Sequence, residues 1–121
     1  MKLVLYRGRS VADDKWYEGY FVNVEDYLSG EEQPVIIPIG TALYSHGEVS
    51  CLEFIDPVTV GQFVGAYDNN GKKIFEGDIV EKVTDTSFRL IVRDIRSFDR
   101  LVSFPSRYRV IGNIWDNPEM V

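Results

Sequence analysis

A turn signal between two apolar segments constrains the fold of this chain more than any other feature. Residues 68–71 read Asp-Asn-Asn-Gly and separate the apolar residues 63–67 from Ile74 and Phe75. Asp, Asn and Gly tolerate the positive φ that tight hairpin turns require, whereas the flanking residues favour strands. The pattern therefore predicts a β-hairpin, with Gly71 at positive φ.

A second turn follows directly after this hairpin. Gly77 gives freedom of φ, and the Asp78 side chain is able to bond its own backbone two residues further on. Ile79 and Val80 then start a new strand, and this Gly-Asp entry is similar to the first strand of SH3-like barrels. The residues assigned to structural turns are Asp68, Asn70, Gly71, Gly77 and Asp78.

Short apolar runs between turn residues recur along the whole chain. They predict strands at 2–7, 16–24, 35–39, 51–55, 64–67, 73–75, 79–83, 88–93, 101–104 and 108–114. Short helical turns are expected at 24–28 and at 57–63, where Asp56-Pro57 has the order of a cap followed by proline. The predicted fold class is all-β and strand-dominated, with a small barrel-like architecture, an SH3-like C-terminal part and one or two short helices.

The length of the chain favours one domain. A domain of 121 residues buries about two thirds of its unfolded surface and folds without disulfides or metal. Within residues 1–121 we expect an N-terminal lobe of about 1–56 and a barrel-like lobe of about 60–121. The apolar residues before Arg7 are too few for a signal-peptide core, and a single cysteine suits a reducing compartment. We therefore expect a cytoplasmic protein.

Three segments carry a resemblance to a known family. Residues 60–80 and residues 110–119, which read Val-Ile-Gly-Asn-Ile-Trp-Asp-Asn-Pro-Glu, resemble the YopX family, small proteins encoded by bacteriophages and by prophages in bacterial chromosomes. Residues 5–9 and 15–20 are similar to the opening segment of these proteins, whereas residues 33–50 match no pattern. The family has no established biochemical activity. The resemblance implies a phage or prophage accessory protein of unknown function, acting in the bacterial host.

The residues that a catalytic or metal site would need are either too few in this sequence or wrongly spaced. His46 and Cys51 are the sole histidine and cysteine, and a structural zinc site needs a cluster of such ligands. No nucleophile elbow, P-loop or dinucleotide fingerprint is present. Asp78, Glu81 and Lys82 lack the nuclease spacing, because Glu81 and Lys82 point to opposite faces of a strand. We therefore predict no catalytic residue, no metal and no cofactor.

Charge is distributed unevenly along the chain. The net charge is −6, and residues 13–32, the acidic segment, hold seven acidic residues against Lys15. Residues 89–109, the arginine segment, hold two aspartates and six arginines. These arginines are the candidate interaction residues: Arg89, Arg93, Arg96, Arg100, Arg107 and Arg109. The planar guanidinium suits carboxylate or phosphate partners, so three interpretations stay open: pairing with the acidic segment within one molecule, pairing across subunits, and phosphate binding.

These observations favour a non-enzymatic interaction protein, either a homo-oligomer or a binder of a host or phage protein. The alternative is a nucleic-acid-binding module that uses the arginine segment 89–109, although a net charge of −6 disfavours non-specific attraction to nucleic acid. A hydrolase whose carboxylates no motif identifies is a third hypothesis. No stretch is long and apolar enough to span a membrane.

Overall fold

The computed structural model describes residues 4–25, 30–38, 53–93 and 105–121. They hold nine strands and three short 3₁₀-helices, and no α-helix occurs in these ranges, so the strand-dominated prediction is confirmed. No helix in these ranges is long and apolar enough to cross a membrane. The elements are β1 Tyr6–Arg9, β2 Trp16–Glu25, β3 Glu32–Pro38, β4 Glu53–Phe54, β5 Gly61–Tyr67, β6 Lys73–Phe75, β7 Asp78–Lys82, β8 Asp85–Ile91 and β9 Tyr108–Asn113, with 3₁₀-helices at Pro57–Thr59, Pro105–Arg107 and Pro118–Met120.

The chain divides into two compact units, Met1–Val60 and Gly61–Val121. In the first unit, antiparallel pairing gives the strand order β4-β3-β2-β1. The β2–β3 hairpin is the longest element of this sheet, and its described pairing ends at Glu25 opposite Glu32. This hairpin extends beyond the short strands β1 and β4 on either side of it.

In the first unit the chain directly after β1 and after β4 comes together. An isolated bridge joins Ser10 to Ile55, and the backbone N–H of Asp56 donates to the Arg9 carbonyl at 2.9 Å. Gly8 permits this approach, because a Cβ there would overlap with the Ile55 side chain. Ile36 and Ile55 are buried in the resulting concave sheet.

The second unit combines the β5–β6 hairpin with an antiparallel three-stranded sheet in the order β8-β7-β9. Gly71 has a φ of 78°, the positive value that the turn chemistry predicts. Apolar residues from all of these strands, or directly beside them, form one core, because each strand turns alternate side chains inward. The core residues are Val64, Ile74, Val80, Val92 and Tyr108.

The prediction of a barrel-like architecture with an SH3-like C-terminal part is corrected by this topology. Neither sheet closes into a barrel in the part of the chain that the structure describes. In the second unit β8 and β9 both pair with β7 and not with each other. In the first unit a single bridge replaces the continuous ladder that closure requires.

The predicted helical turns are shorter than expected. Of the helical turn predicted at 24–28, Val24 and Glu25 belong to β2 instead, and residues 26–28 lie outside the described residues. The helix expected at 57–63 is a single 3₁₀ turn, Pro57–Thr59, capped by Asp56, whose side chain accepts a hydrogen bond from the Val58 N–H at 3.3 Å. It ends early because Gly61 starts β5. The strand predicted at 101–104, together with His46, Cys51, Arg96 and Arg100, lies outside the described residues.

Candidate interaction surface

The turn at Gly77 is built around the C-terminal segment of the chain. Gly77 has a φ of 91°, and its carbonyl accepts a hydrogen bond from the Ile114 N–H at 3.0 Å. A Cβ at this position would overlap with the Trp115 ring. Gly77 is therefore required both by its backbone conformation and by the aromatic side chain packed on it.

Asp78 holds the same turn from inside the core. Its side chain is fully buried, and its Oδ2 accepts a hydrogen bond from the Phe75 N–H at 2.8 Å. The expected bond to the backbone two residues further on is replaced by this bond to a residue three positions earlier. The carboxylate thus fastens β6 to the start of β7.

Asp68 connects the hairpin turn to β9. Its carboxylate accepts hydrogen bonds from the N–H groups of Asn70 and Lys72, both at 2.9 Å, and of Val110 at 3.0 Å. Burial by itself raises the pKa of this carboxyl group, but the three hydrogen bonds outweigh burial, and the net effect lowers the pKa. Asp68 is therefore a structural anion that stabilises the turn.

Asn113 organises the turn that carries Trp115, a role that the sequence reasoning missed. Its Oδ1 accepts hydrogen bonds from the N–H groups of Trp115 at 3.0 Å and Asp116 at 2.8 Å. Asn117 Oδ1 in turn accepts a bond from the Asn113 N–H at 3.2 Å. The signal was an Asn two residues before a Trp, because Asn side chains bond the backbone two residues further on.

Glu81 engages one of the six candidate arginines. The ladder places Arg89 of β8 and Arg109 of β9 opposite Glu81 on its two sides. Glu81 is 8% exposed, and it forms an ion pair with Arg109, whose Nε lies 3.1 Å from Glu81 Oε1. Arg109 thus pairs with an acid of its own sheet, and we assign it to the fold.

Removal of the Arg109 charge should therefore lower the stability of the fold without weakening the binding of any partner. Arg109→Met leaves the largely buried Glu81 carboxylate without its ion-pair partner, and we expect a loss of about 1–2 kcal/mol in the free energy of unfolding. Urea denaturation of parent and variant measures this loss. An unchanged free energy of unfolding would return Arg109 to the set of candidate interaction residues.

Two other arginines lie at one end of the three-stranded sheet, beside an exposed aromatic ring. Lys82 Nζ lies 5.4 Å from the centroid of the Phe88 ring, and Phe88 is 44% exposed. Arg89 follows Phe88 in β8 but lies opposite Glu81, on the other face of the sheet from the Phe88 ring. The Arg107 carbonyl accepts a hydrogen bond from the Val83 N–H at 2.9 Å, which places Arg107 at the same end of the sheet. We call Lys82, Phe88, Arg89 and Arg107 the basic surface. Phe88, Arg89 and Arg107 are exposed, and Lys82 is half-buried.

Arg93 lies away from this surface. It follows Val92, which exchanges hydrogen bonds with Gly77 and Asp78 at the opposite end of β7 from Lys82. The four candidate arginines that the structure describes therefore do not form one group. Arg89 and Arg107 lie at the same end of the sheet, on either side of β7, Arg109 is ion-paired with Glu81, and Arg93 is exposed at the opposite end.

An irregularity in β8 gives the basic surface its shape. Lys82 pairs with Asp85 and the neighbouring Glu81 pairs with Arg89, so residues 86–88 bulge out of the ladder. Asp85 Oδ1 accepts hydrogen bonds from the hydroxyl and N–H of Ser87, and these bonds lower the pKa of Asp85. Bulges blunt a sheet edge against strand pairing. The surface therefore presents side chains rather than a backbone edge.

The acidic segment has two parts with different surroundings. Asp13 accepts a hydrogen bond from the Tyr17 hydroxyl at 2.7 Å, which lowers the pKa of Asp13 and raises the pKa of Tyr17 to about 12. The other part is the end of the β2–β3 hairpin, where Glu31 and Glu32 are exposed. We call residues 22–25 and 30–35 the acidic arm.

Most of the chain matches the model of a known protein family. The model of a family described as YopX protein matches residues 6–121 of the chain. No curated protein matches the chain. The matched range contains the Gly77 turn, the Asn113 turn and the basic surface.

Proposed function

Because the chain belongs to the YopX family, whose match spans residues 6–121, we propose that it is a non-enzymatic interaction protein of a phage or prophage. It acts in the bacterial cytoplasm, and its basic surface binds a protein, either another copy of the chain or a host or phage protein. The binding side chains are Arg89 and Arg107, with Phe88 as the apolar contact.

The exposed ring of Phe88 beside the Lys82 ammonium group supports this proposal most directly. Arginine and aromatic residues are enriched at protein interfaces, because both contribute contact area and directed polar contacts. An aromatic side chain that is 44% exposed on a strand loses favourable burial unless a partner covers it. The basic surface therefore has the composition of an interface centre.

The acidic groups of the second unit support a structural rather than a catalytic role. Asp68 and Asp78 accept hydrogen bonds from backbone N–H groups, and Glu81 pairs with Arg109. A general base must be within reach of a substrate proton, and these three carboxylates instead satisfy groups of the fold.

A nucleic-acid-binding module is the second candidate, and the same surface favours it. Aromatic rings beside cations bind single strands, because bases stack on the ring while the cations contact phosphates. Phe88 with Lys82 beside it is one such ring. The net charge of −6 opposes this function, because the whole-chain field repels a polyanion.

Oligonucleotide titrations distinguish the two candidates. We expect no binding of single- or double-stranded oligonucleotides at ~150 mM salt, where electrostatic reach is ~8 Å. Fluorescence anisotropy of labelled oligonucleotides measures this, and affinity capture from phage-infected cells, with and without nuclease, identifies the class of partner.

The matched variants are Arg89→Glu with Arg107→Glu, and Arg93→Glu as the control at the opposite end of the sheet. Sub-micromolar binding that falls steeply with salt and is lost in the double variant but retained in the control would establish the nucleic-acid module instead.

A further inference from the structure

We propose that Arg89 is a second partner of Glu81, so that the buried carboxylate is held either by Arg109, as in this structure, or by Arg89 after Arg109 has left. The exchange takes place on the face of the three-stranded sheet away from the Phe88 ring. It goes beyond the proposed function, because it concerns how the fold keeps Glu81 neutralised and requires no binding partner.

The strand register places Glu81 between the two arginines. Arg89 of β8 and Arg109 of β9 are its direct cross-strand neighbours, one on each side of β7. Directly opposite residues of antiparallel strands point to the same face, with Cβ atoms about 4.5–5.5 Å apart. Because the arginine side chain is longer than this separation, both guanidinium groups are within reach of the Glu81 carboxylate.

The carboxylate has an oxygen left for a second arginine. Arg109 Nε, at 3.1 Å, and Arg109 Nη2 both donate to the same atom, Glu81 Oε1. Among the residues that the structure describes, none donates a hydrogen bond to Glu81 Oε2. Both oxygens of an ionised carboxylate accept hydrogen bonds, so Glu81 can bind a second guanidinium.

Arg89 is the arginine that is able to move. It is exposed, and within the described ranges its guanidinium forms no hydrogen bond or ion pair. The Glu81 side chain is 10% exposed, and a buried charge that loses its partner strongly destabilises a fold. An exposed arginine loses only side-chain freedom when it takes up such a contact. Loss of Arg109 should therefore draw Arg89 onto Glu81.

The exchange makes Arg109 releasable. Its side chain is 40% exposed, so an acidic group of a binding partner can draw it away while Arg89 takes its place on Glu81. The sheet then offers one guanidinium to a partner in either arrangement. This consequence rests on the proposed function, whereas the exchange itself does not.

A double-mutant cycle in urea denaturation tests the exchange. Arg89→Met alone should leave the equilibrium constant of unfolding within about twofold of the parent value, because this side chain is exposed and holds nothing. In an Arg109→Met background the same substitution should raise that constant at least about tenfold further, which corresponds to about 1.4 kcal/mol, because no arginine then remains for Glu81.

Two controls isolate the contact with the carboxylate. Arg93 is exposed in the same segment of chain but is not opposite Glu81, so Arg93→Met should have the same small effect in the parent and in the Arg109→Met background. In a Glu81→Gln background, where the charge is absent, the effects of Arg89→Met and Arg109→Met should simply add. An Arg89→Met effect of equal size with and without Arg109 would overturn the exchange.

NMR of the Arg109→Met protein gives a readout that does not depend on the double variant. The Nε–H signal of Arg89 should shift and become protected from solvent exchange, whereas the Arg93 signal should stay as in the parent. An unchanged Arg89 signal would contradict the exchange. A double variant that fails to fold, beside a folded protein with Arg109→Met and Arg93→Met, would support it. Neither measurement involves a partner, so a failed exchange leaves the proposed function intact.

Discussion

Gly77→Ala should be the most destabilising single-methyl substitution in the second unit, with an expected loss of about 3 kcal/mol or more in the free energy of unfolding. The residue has a φ of 91°, and an L-amino acid in the left-handed region loses about 1–2 kcal/mol relative to glycine. The added Cβ would also overlap with the Trp115 ring, and overpacking of this kind costs about 1–3 kcal/mol. Urea denaturation followed by tryptophan fluorescence measures the sum.

Gly71→Ala is the matched control for this prediction. Gly71 has a similar φ of 78°, but a Cβ there would have no atom within 4 Å, so we expect the loss of about 1–2 kcal/mol from the backbone alone. In a Trp115→Ala background, Gly77→Ala should cost no more than Gly71→Ala does. Equal losses for the two glycines in the parent background would show that Trp115 does not restrict position 77.

Local chemistry explains why parts of the fold could be predicted from the sequence. The Asp-Asn-Asn-Gly turn acts over four residues, and its apolar flanks define β5 and β6 without help from distant residues. The same holds for the cap at Asp56, whose bond to Val58 spans two positions. These features are encoded in neighbouring residues, so pattern and structure agree.

Long-range contacts explain what could not be predicted. Asp68 was assigned as a turn residue, but its bond to Val110 joins residues 42 positions apart, and no local pattern reports it. The barrel prediction was wrong for a similar reason, since strand spacing gives the number of strands but not whether β8 and β9 meet. The helix expected at 57–63 ends after one turn because Gly61 is taken into β5 by tertiary pairing.

The candidate surface also depends partly on local sequence and partly on long-range contacts. The sequence identifies the arginine segment as the basic part of the chain. It does not show that Arg109 is paired with Glu81 whereas Arg89 is exposed in β8. Register places both arginines opposite Glu81, and the ion pair of Arg109 with Glu81 makes the distinction. The sequence predicts a strand at 88–93, but it does not predict the bulge in β8 that leaves Phe88 44% exposed.

Asp68→Ala should cost about 3–5 kcal/mol, because it removes the acceptor of three backbone N–H groups at a site that is 5% exposed. Asp68→Asn retains one carbonyl oxygen and should cost less. Its amide nitrogen faces a backbone donor where the carboxylate had its second oxygen, so the loss should still exceed about 1 kcal/mol. Urea denaturation at pH 7 gives both values.

The pH dependence of the same variants separates the charge of Asp68 from its shape. The folded-state pKa of Asp68 is lowered below the unfolded value of about 3.9, so the stabilisation is fully present above the unfolded pKa and is lost as the pH falls through the folded pKa. The difference between parent and Asp68→Asn should therefore shrink as the pH is lowered below about 4, while Asp13 and Asp85, whose pKa values are also lowered, contribute equally to both proteins. A difference that stays constant from pH 7 to acid would mean that the three N–H groups bind a neutral oxygen equally well, and that the ionised carboxylate does not hold the hairpin to β9.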